Sequence, residues 1–207
     1  MMGPKISSQE DAMKKIWTVL IVMSMIGWLN GQTPPPRVPN WAGDAIWYQI
    51  FPERFDNGNP ANDPTPADMA GAWPYQIPEG WSITSWTSDW YAMSDWETQN
   101  GHDFYWNTGV RRYGGDLEGI IRRLDYLQNL GINAIYLNPI FEAASHHKYD
   151  ATLYHHIDNN FGPNPDLDKI IWSQENPADP ATWGWTTADT LFLHLIRACH
   201  LRGMKII

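Results

Sequence analysis

Residues 113–141, "YGGDLEGIIRRLDYLQNLGINAIYLNPIF", hold a helix and a strand in immediate succession, and the fold follows from them. Leu117, Ile120, Ile121, Leu124, Leu127 and Leu130 recur at the spacing that puts apolar side chains on one face of a helix, and Gly131 stands where such a helix stops. The segment after it, "INAIYLNPIF", loses the helical period and reads as a buried strand ended by Pro139. Upstream, "DAIWYQIFPERF" carries Ile46, Tyr48, Ile50 and Phe51 in a dense β-branched and aromatic run stopped by Pro52, which predicts a second buried strand. Strand, excursion, helix and strand make a βαβ unit, so the two strands should be parallel.

The same succession begins again downstream. A loop is expected from Ala143 to Thr187, then a helix in "ADTLFLHLIRACHLRG" with Ala188, Leu191, Phe192, Leu195, Ile196 and Cys199 on one face and Gly203 closing it. "MKII" opens a third strand, and a parallel sheet with its outer edge bare at that point leads to the expectation that the chain is a fragment. Between the first strand and the first helix, Asp56 to Arg112 is rich in Pro, Gly, Asn and Trp without a sustained period, which predicts an irregular excursion. Six tryptophans between Trp73 and Trp106 argue that it is ordered.

The chain has 207 residues and a formal charge of −9, which disfavours a nucleic-acid partner and is compatible with a neutral substrate. Its start has the parts of a secretory signal: Lys14 and Lys15 precede an apolar run from Ile16 to Leu29 that is short for a membrane span. Residues 1–31 are therefore expected to be a signal peptide with an upstream extension before Met13, cleaved near Gly31, and residues 32–43 a Pro-rich linker. A secreted or periplasmic location without stable membrane insertion follows; a retained membrane anchor is the rival reading of that run. Cys199 is the single cysteine and cannot form an internal disulfide; its helical neighbours make it a core residue.

Two stretches carry ligating or recognising side chains. "ASHHKYDATLYHHID", Ala144–Asp158, concentrates four histidines, but His146–His147 and His155–His156 are adjacent pairs whose side chains should diverge on extended backbone. No third ligand recurs at a familiar zinc spacing, so His155 and His156 are expected at a loop or strand surface. "FDNGNPANDP", Phe55–Pro64, offers oxygen ligands alone, which suit calcium. It lacks the glycine and distal glutamate of an EF-hand, and it also reads as an Asx-rich turn, with Asp116 as a helix N-cap.

Taken together, "AIWYQIFPERFDNGNPAND", "YGGDLEGIIRRLDYLQNLGINAIYLNPIF" and "HHKYDATLYHHID" followed by "FG" resemble the opening of the catalytic domain of the α-amylase family of glycoside hydrolases, in its neopullulanase and cyclomaltodextrinase branch. The resemblance runs from Asp44 to Ile207. It implies an α/β fold, a (β/α)8 TIM barrel of which residues 44–207 hold the first three strands and two helices, with an active site at the carboxyl ends of the strands. It also implies substrate-binding residues: Tyr149 would stack under a sugar ring, and Asp150 would brace its loop. The calcium ligands it implies are Asn57, Asn59, Asn62, Asp63, Gly114 and Asp116, with Asn at 59 where relatives often carry an aspartate. The activity implied is hydrolysis of α-1,4-glucans (starch, maltooligosaccharides, cyclodextrins) by retaining double displacement, with catalytic carboxylates expected beyond Ile207 and none among Glu53, Glu142 and Asp150. A non-catalytic carbohydrate-binding protein on the same scaffold is the rival reading.

Overall fold

A computed structural model describes residues 13–15, 17–18 and 38–207 of the chain. The chain divides into two units, 1–44 and 45–207. In the first, residues 13–15 and 17–18 are helical, and Asn40–Asp44 forms a 3-10 turn. The rest of the expected signal peptide, and residues 32–37 of the linker, lie outside the described residues.

The second unit is built on a three-stranded parallel sheet. Strand β1 is Trp47–Ile50. The excursion that follows contains two short helices, α1 (Asp95–Gln99) and α2 (Phe104–Val110), before helix α3 (Leu117–Asn129) leads into β2 (Ala134–Leu137). Strands β3 (Phe141–Glu142) and β4 (Leu153–Ile157) form an antiparallel pair, followed by α4 (Pro165–Ser173), α5 (Thr187–Leu201) and β5 (Lys205–Ile206). β2 is the central strand, with Trp47 opposite Ala134 and Ala134 opposite Lys205, both pairings parallel as the βαβ reading requires.

The core lies between this sheet and the helix pair. Leu117, Ile120, Leu124 and Leu127 are fully buried on one face of α3, and Leu195 and Cys199 likewise on α5. Fully burying each such aliphatic side chain contributes about 1.5–3 kcal/mol, so this stripe is what fixes the helices to the sheet. Cys199 is a core residue, as its neighbours imply, and burial pushes its thiol up to about 11. Gly131 ends α3 in the left-handed region at φ 88°, where a side chain would be strained.

Three sequence expectations need correction. β1 is an edge strand of the sheet, and only Ile50 is buried in it, while Ile46 and Trp47 are exposed. α1 and α2 stand inside the stretch read as irregular: each is too short to show a period, and each is set by a capping residue, Ser94 and Asp103. The expected loop from Ala143 to Thr187 holds β4 and α4, the latter started by the Asn164 side chain accepting from Leu167 N–H, with Pro165 in its first turn.

The excursion is ordered by a buried ion pair. Arg111 donates to Glu97 through Nε at 2.7 Å and Nη2 at 2.8 Å, and both side chains are wholly buried. The same guanidinium donates to the carbonyls of Trp90 and Ala92, and the Trp90 ring stacks on Tyr113 at 5.6 Å and 7°.

Candidate functional site

The loop between β3 and β4 is held from below by a lysine. Lys148 takes a positive φ of 59° and is buried. Its Nζ donates to the Ala143 carbonyl at 2.7 Å and to Asp158 Oδ2 at 2.5 Å, over the face of Phe161. Its backbone N–H donates to Ser145 Oγ at 3.0 Å, and that hydroxyl donates in turn to Asp150 Oδ1. The result is a rigid floor from which the next residue projects. Tyr149 is 63 % exposed, with its backbone N–H donating to His147 Nδ1. Tyr149 and Asp150 thus share one loop, the first presenting its ring to solvent and the second tying the loop to Ser145. Lys148 was not singled out from the sequence, where a lysine in a polar stretch carries no mark of burial.

Beneath this loop lie groups from the other side of the sheet's end. Phe51, directly after β1, stacks on His146 at 5.8 Å and 20°. Burial, then the charges of Arg112 and Arg54, push the His146 pKa down to about 3, so the imidazole is neutral. Burial also raises the Glu53 carboxyl, against the pull of Arg54 and Arg112 and of N–H donors from Tyr113 and Gly114. Glu142 is pushed up to about 7 by burial and then by the charge of Asp158.

The loop after β1 folds onto the start of α3. Asp116 caps that helix and anchors the loop at once: Oδ1 accepts from Gly119 N at 2.6 Å and Gly58 N at 3.1 Å, and Oδ2 from Asn59 N at 2.8 Å and Asn62 Nδ2 at 3.2 Å. Asn59 uses its side-chain oxygen to accept from Ala61 N. The N-cap role and the Asx-turn role expected of this stretch are therefore both present. The remaining oxygens are differently placed. Asn57 Oδ1 and Asn62 Oδ1 are buried without a hydrogen-bond donor, a condition that costs about 1–3 kcal/mol each. Asp63 accepts from Asn57 Nδ2 at 2.6 Å, and burial together with the Asp116 charge raises its pKa to about 6. Gly114 sits at φ 69°, and a Cβ there would come 2.1 Å from Asp63 Oδ1 and 2.5 Å from Asn57 Nδ2. The six residues of the expected ligand set thus gather in one place, with Asn57 and Asn62 holding orphaned oxygens beside the Asp63 carboxylate.

His155 and His156 are not at a free surface. His156 is buried, with Nδ1 2.8 Å from Asp189 Oδ2, and both histidines direct Nε2 toward Glu175 Oε2. Strand alternation fails here because Phe141 pairs with Ile157 while Glu142 pairs with Leu153, so residues 154–156 bulge across one step of β3.

The arrangement has known counterparts. The family model described as "Alpha amylase, catalytic domain" matches residues 49–176, more than half of the chain. The chain belongs to the α-amylase family. β1, β2 and β5 with α3 and α5 are accordingly the first three strands and two helices of its (β/α)8 barrel, an α/β fold, and the family is one of glycosidases. Among curated relatives, neopullulanase 2 of Thermoactinomyces vulgaris is 39% identical over 133 residues, covering 64% of this chain and 17% of the relative. Cyclomaltodextrinase of Geobacillus thermopakistaniensis is 41% identical over 135 residues, covering 65% of this chain and 18% of the relative. The chain thus spans under a fifth of the length of either. Among solved structures, the type III pullulan hydrolase from Thermococcus kodakarensis superposes with a TM-score of 0.50 at 28% identity, over 79% of this chain and 22% of that one.

Proposed function

We propose that this α-amylase family chain contributes the first βα loops of the substrate face of an exported enzyme that hydrolyses α-1,4-glucans (starch, maltooligosaccharides, cyclodextrins) with retention of configuration. The observation that carries the reading is Tyr149: an exposed aromatic ring on a loop immobilised by Lys148, Ser145 and Asp150, on the segment leaving the carboxyl end of β2. A pyranose presents apolar C–H groups on its faces, so a flat ring held in place binds it without paying for loop ordering. The positive φ of Lys148 turns the chain so that the following side chain faces outward while its own goes down to Asp158. Phe51, stacked on a neutral His146, adds an apolar and uncharged surface beside the buried Lys148–Asp158 pair. Export rests on the charged and apolar pattern of residues 13–31.

The loop after β1 fits calcium. Asn57, Asn62 and Asp63 would supply side-chain oxygens and Gly114 its carbonyl, while Asn59 and Asp116 shape the loop around them. A hard cation bound there supplies the missing partners of two orphaned amide oxygens and offsets the Asp63–Asp116 repulsion. Its role is structural: it ties the loop after β1 to the start of α3.

Titrating maltoheptaose into the protein and its Tyr149→Ala and Tyr149→Phe variants, followed by calorimetry, tests the reading. Removing an anchoring ring should weaken binding about 5- to 30-fold, and phenylalanine should restore most of it. Equal affinity in all three would overturn the assignment of this loop to substrate.

A further inference from the structure

We propose that His155, His156 and Glu175 form a binding site for a divalent transition-metal ion of the zinc class, separate from the calcium loop. The Nε2 atoms of His155 and His156 lie 3.2 and 2.7 Å from the same Glu175 oxygen, and the three ligand atoms all fall within 4.8 Å of one another. Two imidazole nitrogens and one carboxylate oxygen are the three-ligand set that zinc accepts while keeping a fourth position for water. Bonds of about 2.0–2.1 Å in tetrahedral geometry set ligand atoms roughly 3.4 Å apart. The His155 contact is already near that spacing, and the His156 contact, at 2.7 Å, reaches it by opening roughly 0.7 Å.

The surroundings are those of a supported site. His156 offers Nδ1 to Asp189 Oδ2 at 2.8 Å, which orients the ring and, with the proton on Nδ1, leaves the Nε2 lone pair facing Glu175. Asp189 is itself fixed by N–H groups of Ile157 at 2.8 Å and Thr186 at 3.1 Å, at the start of α5. The other oxygen of Glu175 accepts from Gly184 N at 2.6 Å, and Trp183 stacks on His155 at 4.2 Å. Side-chain exposure is 11% for His155 and 2% for both His156 and Glu175. Charge points the same way. Two carboxylates, Glu175 and Asp189, flank His156 in this buried space; a divalent ion with two neutral imidazoles balances both, whereas one extra proton on His156 balances one. Bound there, the ion fastens the segment between α4 and α5 to β4, and with it the exposed ring of Trp185.

The test is metal uptake by the purified protein in saturating calcium, so that the oxygen-only loop is filled. Zinc content after dialysis is measured by mass spectrometry, and cobalt substitution is read by its visible absorption, which is intense in tetrahedral sites and weak in octahedral ones. The expected result is one zinc per chain and a tetrahedral cobalt spectrum. His155→Ala should weaken zinc more than about 100-fold, and Asp189→Asn about 10- to 100-fold, the range for loss of an outer partner. His200→Gln, on the exposed side of α5, should change neither. Glu175→Gln, which keeps the Gly184 contact, guards against misfolding of the alanine variant and should also lose tight zinc. Absence of zinc in the parent, or zinc unchanged in both His155→Ala and Glu175→Gln, would overturn the site and leave His156 as an imidazolium held between two carboxylates.

Discussion

Glu142 shows how burial turns a carboxyl into a pH-dependent element of stability. Its ordinary value of 4.5 is raised to about 7 by burial and by Asp158, with the Asn159 N–H at 3.0 Å opposing. A raised carboxyl holds its proton more tightly in the folded state, so stability falls as pH climbs from about 4.5 through 7. Glu142→Gln keeps the oxygen that accepts from Asn159 and removes the ionisation. Its melting temperature should match the parent at pH 4 and exceed it at pH 8; a parallel pair of pH profiles would refute this. From the residues themselves only the Asx-rich turn and the Asp116 cap were legible at this scale; Tyr149 and the full calcium-type set were named through the family resemblance. Lys148, Asp158 and Glu175 were not legible, since the ionic partners that mark them lie 10 to 20 residues away and meet only in the folded chain.

At the scale of elements, α3 is defined from both ends, by the Asp116 cap and by Gly131, and its interior answers to the loop after β1. Gly119 is the point of closest approach, where a Cβ would come 1.7 Å from the Asp56 carbonyl oxygen. Alanine favours a helix over glycine by about 1 kcal/mol, yet Gly119→Ala should lower the urea midpoint, because the clash is with backbone that must move. A raised midpoint would show that the loop does not press on the helix. α3 and α5 were readable from periodicity, which needs several turns to register, and β1 and β2 from dense β-branched and aromatic runs. α1, α2 and α4 were missed because capping side chains and tertiary contacts specify them, not a repeated apolar face. Adjacent histidines converge in β4 for a related reason: a bulge cancels the alternation on which the sequence argument rests.

For the whole second unit, parallel strands and a shared helix layer place the loops after β1 and β2 at one end of the sheet, and these loops carry both Tyr149 and the Asn- and Asp-rich cluster proposed to hold calcium. The parallel α/β architecture was legible because βαβ succession, right down to the helix-stop glycines, is written in local pattern; that it closes into a barrel came from the family resemblance. Which side chains meet at the sheet's end was only partly legible. If calcium ties the first loop to α3, adding it at 100 times its dissociation constant should stabilise the fold by about 2.7 kcal/mol. Thermal melts with calcium and with a chelator would then separate, and Asp63→Asn should shrink the gap; coincident melts would remove calcium from the account.

The most direct measurement is a crystal structure of the protein grown with calcium and soaked with maltoheptaose. The account predicts a glucose ring lying flat on Tyr149 at about 3.5–4.0 Å between carbon atoms, with the Lys148–Ser145–Asp150 floor unmoved. Sugar bound only on the tryptophans of the 56–112 excursion, with Tyr149 bare, would contradict it.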